Sequence, residues 1–70
     1  MRLTPRERQL IQAILDGAAN REIARLFGTS EQTVKNQLVA LYEKTGATSR
    51  LELAMLVVNG RLDVDGDAKT

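Results

Sequence analysis

The segment 20–38 constrains the fold of this 70-residue chain more than any other part of the sequence. Ile23 and Phe27 are four residues apart, so they share one face of a helix. Gly28 follows that helix and can adopt a positive φ as its C-terminal cap. Ser30 can then cap a second helix by accepting a backbone N–H. The segment therefore predicts two helices joined by a tight turn.

The spacing of small and apolar residues also predicts how these two helices pack. Ala24 lies beside Ile23, where the helices must come closest and a larger side chain would push them apart. Val34 follows ten residues later and closes the pair from the other side, with Leu38 and Leu41 on the same face. Such a pair is typical of a helix-turn-helix that reads DNA, but spacing alone fits any helical hairpin with a glycine turn.

Capping residues and apolar periodicity predict four helices along the whole chain and no strand. A capping box at Thr4 and Glu7, with Pro5 in the first turn, begins the first helix. Asn20 is predicted to cap the second helix, and Ser49 with Glu52 the fourth. The expected fold is an all-α four-helix bundle containing a helix-turn-helix, with helices at about 5–16, 20–27, 31–44 and 49–59.

Composition limits the chemistry available to the chain. It has no cysteine and no histidine, so disulfides and the usual soft metal ligands are excluded. Asp63, Asp65 and Asp67 alternate as in a calcium loop, but the downstream glutamate is missing. We expect no metal, no cofactor and no catalytic activity, because a paired-carboxylate pocket and a phosphate loop are also missing.

Charge and hydropathy indicate one domain at residues 1–60 and a flexible acidic tail at 61–70. Residues 1–50 carry eight basic and five acidic side chains, whereas 51–70 carry two and four. That asymmetry favours a polyanionic partner for the first part. No apolar stretch approaches the ~20 residues of a membrane span, and there is no signal-peptide pattern, so we expect a cytoplasmic location.

Residues 53–58 are six consecutive apolar residues, so apolar side chains point to all sides of the fourth helix. Neighbouring helices can cover one side only, and we assign Leu53 and Leu56 to that side. The other side is predicted to meet a partner helix, most simply the same helix of a second copy in a homodimer. Its residues are Ala54, Val57, Val58 and Arg61. The alternative is contact with another domain of a longer parent chain.

The third helix carries polar residues opposite its apolar face. The N-terminal half of such a helix can reach base edges in a major groove. Lys35 can donate to guanine, Asn36 and Gln32 can pair with adenine, and Val39 can touch only apolar groups. Three further residues suit phosphate contacts, namely Ser30, Thr33 and Gln37. The alternative is an ordinary solvated helix face.

Several motifs in register resemble the LuxR-type (GerE-like) DNA-binding domain over residues 3 to about 60. They are Leu3-Thr-Pro-Arg-Glu-Arg8, Gly17, Asn20-Arg-Glu-Ile-Ala24, Ser30-Glu-Gln-Thr-Val-Lys-Asn36, Tyr42-Glu-Lys44, Gly46, Ser49-Arg50 and Glu52-Leu-Ala54. The resemblance implies a bacterial transcription regulator whose third helix reads the major groove of double-stranded DNA and whose fourth helix dimerises. Such a domain is often the output half of a response regulator or quorum sensor.

Carried over position by position, the resemblance places Lys35, Asn36 and Val39 at bases. It places four residues at phosphates, which are Asn20, Thr33, Gln37 and Arg50.

The chain departs from the LuxR-type pattern at four positions. Gln37 replaces a frequent histidine, and Val39 is apolar where some members carry a charged base-reading residue. Thr45 and Ala47 replace larger apolar residues, which predicts a less well-packed corner before the fourth helix. The leading hypothesis is a sequence-specific DNA-binding domain. The alternative is a helical protein–protein adaptor of the same fold with weak or no DNA binding.

Overall fold

Four α-helices make up residues 3–62, the part of the chain that the computed structural model describes. They are α1 (Pro5–Leu15), α2 (Asn20–Phe27), α3 (Glu31–Thr45) and α4 (Arg50–Val58). Each boundary lies within one residue of its predicted position, and the all-α class is confirmed. None of these four helices combines the length and the apolar character needed to cross a bilayer.

The helices associate as two pairs. α2 packs chiefly against α3, and α1 packs chiefly against α4. Buried side chains from all four helices meet between the pairs in one apolar core. The largest fully buried residues are Leu10, Ile11, Ile23, Val34, Leu41 and Leu53. The α2–α3 pair therefore rests on the α1–α4 pair through a shared core, and this arrangement fixes which face of α3 remains outside.

The start of α1 has the capping box that the sequence predicts. The Thr4 hydroxyl accepts from the Glu7 N–H at 3.1 Å, and the Glu7 carboxylate accepts from the Thr4 N–H at 2.8 Å. Pro5 occupies the first turn, where its missing N–H costs no helical hydrogen bond. Leu3, just before this cap, is buried in the core. The cap therefore fixes both the start of α1 and the path of the chain leading into it.

The predicted cap of α2 at Asn20 is wrong by one residue. Ala19 is the N-cap, in extended conformation, and Asn20 is already the first helical residue. Alanine has no side-chain acceptor, and the cap instead uses a bond from the Ala19 N–H to the Glu22 carboxylate, at 2.8 Å. The Asn20 side chain is consequently released from capping and is available for another contact.

The turn between α2 and α3 depends on Gly28. Its φ of 71° lies in the left-handed region, and its N–H donates to the Arg25 carbonyl at 3.3 Å. The next N–H, from Thr29, reaches back to the Ala24 carbonyl at 2.9 Å. These bonds close the end of α2, so that α3 can begin at once from its Ser30 cap.

The cap of α4 differs in one detail from the predicted capping box. The Ser49 hydroxyl accepts from the Glu52 N–H at 3.2 Å, as predicted. The Glu52 carboxylate, however, accepts from the Thr48 N–H, at 2.8 Å, rather than from Ser49. The acidic side chain thus ties down one more residue of the turn that precedes α4.

The corner before α4 contains the two smaller residues at which poorer packing was expected. Ala47 is buried in the core. The Thr45 hydroxyl donates to the Leu41 carbonyl at 2.9 Å and lies 3.3 Å from the Ala47 N–H, which donates to it. Hydrogen bonds of the hydroxyl therefore hold this turn.

Two predictions about the C-terminal part need correction. Leu62 is buried, so the packed domain reaches beyond residue 60, where the acidic tail was predicted to begin. Val57 is partly buried against the core rather than facing away with Val58, whereas Leu53 and Leu56 do pack inward as predicted. The rest of the predicted tail, with its alternating aspartates at 63, 65 and 67, lies outside the described residues.

Candidate nucleic-acid interface

The outward face of α3 presents a continuous exposed stripe. Its members are spaced i, i+3, i+4 and i+7, so they lie along one side of the helix. Val34, Leu38 and Leu41 occupy the opposite side and are buried in the core. All four residues predicted to reach bases belong to the exposed stripe, namely Gln32, Lys35, Asn36 and Val39. We call them the α3 stripe.

The two side-chain amides of the α3 stripe are hydrogen-bonded to each other. Gln32 Nε2 donates to Asn36 Oδ1 at 3.1 Å, one helical turn away. The second lone pair of that oxygen and both hydrogens of the Asn36 amide remain for other partners. An adenine edge needs one acceptor and one donor from the same amide. Gln32 therefore orients Asn36 without using up the groups that such recognition requires.

Lys35 and Val39 lie one turn apart along the same stripe. Lys35 is exposed, and Val39 is 54% exposed although its side chain is apolar. A lysine ammonium offers three donors on a flexible stem, whereas the valine offers only methyl groups. The stripe thus combines hydrogen-bonding groups at its N-terminal half with an apolar contact further along.

The predicted phosphate contacts on α3 lie beside this stripe. Ser30 Oγ accepts from the Thr33 N–H at 3.1 Å and shares a hydrogen bond with Thr33 Oγ1 at 3.0 Å. Gln37 is partly buried, and its Oε1 atom is inaccessible and has no hydrogen-bond partner within residues 3–62. Its other amide atom, Nε2, is a donor that phosphate oxygens can accept from.

Asn20 and Arg50, also predicted at phosphates, contact each other. The Arg50 guanidinium donates through one nitrogen to Asn20 Oδ1 and through the other to the Ala18 carbonyl, at 2.8 Å for the latter. Both side chains are partly buried. Because Arg50 begins α4 and Asn20 begins α2, these bonds connect the two helix pairs. We call this group the α2–α4 corner.

A second polar contact joins the two helix pairs near the C-terminal end of α3. Lys44 Nζ donates to the Glu7 carboxylate at 2.8 Å. Burial raises the pKa of the Glu7 carboxyl, but hydrogen bonds from Lys44 and the Thr4 N–H outweigh it. Together with the charge of Lys44, they hold that pKa below its usual value. Sequence spacing gave no sign of this contact, because its partners are 37 residues apart.

Arg6 and Phe27 form a third contact between the pairs. The guanidinium carbon of Arg6 lies 4.1 Å from the centroid of the Phe27 ring, a cation–π geometry. Arg6 is on α1 and Phe27 ends α2, so the contact holds the start of the tight turn against α1. The basic residues of the two pairs are therefore not equivalent, since Arg6, Lys44 and Arg50 make internal contacts whereas Lys35 points outward.

An exposed apolar stripe runs along α4. Leu51 and Val58 are each 73% exposed and Met55 is 49% exposed, with Ala54 partly buried at its edge. Their spacing is again i, i+3, i+4 and i+7, which places them on one side of the helix. Of the predicted interface residues, Ala54 and Val58 lie on this stripe. Arg61 is exposed beyond the end of the helix.

The sequence profile of the bacterial regulatory proteins of the luxR family matches residues 1–57. The chain belongs to this family. The predicted resemblance is confirmed, and the protein is a DNA-binding domain of a transcription regulator.

Three relatives illustrate the transcriptional and response regulators that this domain is similar to. The transcriptional regulatory protein YdfI of Bacillus subtilis is 39% identical over 64 residues, covering 90% of this chain and 30% of YdfI. The nitrate/nitrite response regulator protein NarL of Escherichia coli is 38% identical over 60 residues, covering 86% and 28%. The probable transcriptional regulator ycf29 of Pyropia yezoensis is 34% identical over 62 residues, covering 89% and 28%.

The luxR-family domain described here spans less than a third of the length of these relatives. No solved structure matches the chain. Membership of the family establishes the class of function.

Proposed function

We propose that α3 enters the major groove of duplex DNA with its exposed stripe facing the base edges. One observation carries this proposal, namely that hydrogen-bonding residues line the face of α3 opposite its buried apolar side. A major groove accommodates one α-helix, and its direct readout uses side chains of these types. The family supplies the DNA-binding function, and the α3 stripe supplies the surface on which we place it.

Each residue of the α3 stripe has a distinct proposed contact. Lys35 donates to guanine O6 and N7. Asn36 pairs with adenine through both atoms of its amide, held in place by Gln32. Val39 packs against a thymine methyl group, since it has no polar atom to offer. Each good bidentate pair is worth about 1–3 kcal/mol of discrimination against a wrong base.

Phosphate contacts flank this stripe in the proposed complex. Ser30, Thr33 and the N–H groups at the start of α3 face the backbone of one strand, where the positive end of the helix dipole favours an anion. Gln37 offers its Nε2 donor from the side. These contacts fix the register of α3 on the duplex and carry no sequence information by themselves.

We further propose that two copies pair through the apolar stripe of α4. Leu51, Met55 and Val58 are the exposed apolar residues of that helix, and pairing would remove them from water. Because this apolar stripe lies on α4, pairing through it would leave the α3 stripe exposed. Two α3 helices related by a two-fold axis would read inverted half-sites.

The relatives support a proposal about the parent protein. This domain covers less than a third of each of them, and NarL is named a response regulator protein. We propose that the domain is the output half of a longer regulator with a sensing or receiver domain. A regulator that binds bacterial DNA works in the cytoplasm, and binding rather than catalysis is its proposed activity.

A mobility-shift experiment at two salt concentrations tests the docking of α3. Its probe is a duplex selected from a random oligonucleotide pool. We expect a retarded band that weakens steeply with salt, because log K falls by about 0.9 per neutralised phosphate for each tenfold rise in salt. Folded protein that leaves the duplex unshifted at low salt would contradict the proposal and favour the adaptor alternative.

Sedimentation of matched charge variants tests the dimer. Val58→Glu places a charge in the proposed seam, where it cannot remain buried without a partner, so we expect monomers. Leu26→Glu is the control, because Leu26 is 72% exposed, much like Val58, but lies on α2. Val57→Glu is less informative because Val57 also contacts the core. An unchanged dimer in Val58→Glu would place the seam elsewhere.

A further inference from the structure

We infer that Arg50 is a positioning residue, which holds the α2–α3 pair in register with α4 and does not bind DNA phosphate. The inference rests on the proposed docking of α3 and adds how that docking is maintained. Three observations support it, and they concern the partners of the guanidinium, its place in the fold and its chemistry.

The partners of Arg50 are groups that need a donor. The Ala18 carbonyl belongs to the connection between α1 and α2, outside either helix, and it accepts from Arg50 at 2.8 Å. Ala19 is the N-cap of α2, so Asn20 does not cap the helix, and its Oδ1 accepts from the other terminal nitrogen of Arg50. Two of the five guanidinium donors are therefore directed into the protein before any DNA arrives.

The position of Arg50 makes this contact a link between the two helix pairs. Each helix packs chiefly within its own pair, and Arg50 is the first residue of α4. Its two partners flank the start of α2, at sequence separations of 32 and 30 residues. α2 in turn packs on α3 through Ile23 and Ala24, which are buried. A shift of α2 at this corner therefore moves α3 relative to the proposed dimer seam.

The chemistry of the corner requires arginine specifically. A planar guanidinium can reach two acceptors at once in a fixed fork, whereas a lysine ammonium is a single point donor. A phosphate contact tolerates the exchange far better, because charge dominates the affinity of proteins for the DNA backbone. Arg50→Lys therefore separates the two roles while keeping the net charge unchanged.

The experiment measures binding of the selected duplex at several salt concentrations, at a temperature where every variant remains folded. The variants are Arg50→Lys and Arg50→Met, with Asn20→Ala as a milder one that removes only one acceptor. We expect both Arg50 variants to bind about tenfold more weakly, the equivalent of one charge-assisted hydrogen bond. The slope of log K against log salt should stay that of the wild type.

The other outcomes overturn the inference in distinct ways. Rescue by Arg50→Lys, with a slope shallower by about 0.9 in Arg50→Met, would make Arg50 a phosphate ligand. A lower melting temperature with unchanged affinity would make it a purely structural residue. Failure of the wild type to bind any duplex would overturn the docking of α3 as well, which distinguishes the failure of both proposals from the failure of this one.

Discussion

The outward face of α3 and the α2–α4 corner contain similar polar residues in different surroundings. Lys35 and Asn36 are exposed, and the side chain of Asn36 accepts a hydrogen bond from Gln32 on the same helix. Arg50 and Asn20 are partly buried and join two helices. Residue type and family position place all four at DNA, but only the first two face outward without binding another helix. We therefore propose that Lys35 contacts DNA, whereas Arg50 holds the helices in position.

The largest expected difference between these regions concerns Lys35. Lys35→Ala should weaken specific DNA binding by about 1–3 kcal/mol, because it removes donors directed at a base, while the melting temperature barely moves. Fluorescence anisotropy and thermal unfolding of the same sample measure both quantities. Lys44→Ala is the control on the same helix, since its ammonium is held by Glu7. Collapse of the fold in Lys35→Ala would show that Lys35 is structural.

A substitution in the α2–α4 corner should lower the stability of the fold. Asn20→Ala leaves one guanidinium donor of Arg50 without its acceptor, so we expect the free energy of unfolding to fall by about 1–2 kcal/mol. Urea denaturation measures it. Asn36→Ala is the matched control, because it removes the same amide from an exposed position. An equal loss of unfolding free energy in the two variants would show that Asn20 contributes no more to stability than an exposed amide.

The ion pair between Glu7 and Lys44 should make the stability of the fold depend on pH in the acidic range. The pKa of Glu7 is lowered in the folded protein, so its contribution is complete above the usual value of 4.5 and is lost as pH falls through the folded value. Glu7→Gln should therefore be less stable than the wild type at neutral pH, by about 0.5–1 kcal/mol, and the gap should close below pH 4.5.

Urea unfolding across this pH range measures the effect of Glu7→Gln. Glu43→Gln serves as the control, because Glu43 is an exposed glutamate near the same end of α3. A gap between Glu7→Gln and the wild type that stays constant down to acid pH would mean that the ion pair contributes nothing measurable.

The smallest expected effect is at Val39. Val39→Ala removes two carbon atoms from the proposed thymine contact, and we expect a binding loss of about 1 kcal/mol or less. The loss should appear only with duplexes that carry thymine at the facing position, so paired measurements with thymine and uracil, which lacks the methyl group, isolate it. An equal loss with both duplexes would remove Val39 from the base-reading stripe.

Local signals in the sequence were sufficient for the helices and for much of the core. Gly28, the Thr4–Glu7 box and the apolar spacing of α3 act within a few residues, and these predictions match the structure. The cap of α2 was missed because alanine carries no capping signal. Only Glu22, three residues later, indicates it.

Long-range contacts were not predictable in the same way. The rotation of α4 depends on how Leu53 and Leu62 fit the core, and a helix with six consecutive apolar residues gives no periodicity from which to read it. The bond from Arg50 to the Ala18 carbonyl joins a side chain to a backbone atom, which no residue type signals. Val57 accordingly packs against the core rather than lying on the exposed stripe of α4, and no local pattern predicts that Arg50 and Asn20 contact each other.

Amide chemical shifts recorded while the selected duplex is titrated into labelled protein at low ionic strength test the central claim most directly. We expect the largest changes along Gln32, Lys35, Asn36 and Val39, with small changes on the outer face of α4. Unmoved resonances along α3 in the presence of bound duplex would contradict the assignment of this helix as the DNA reader.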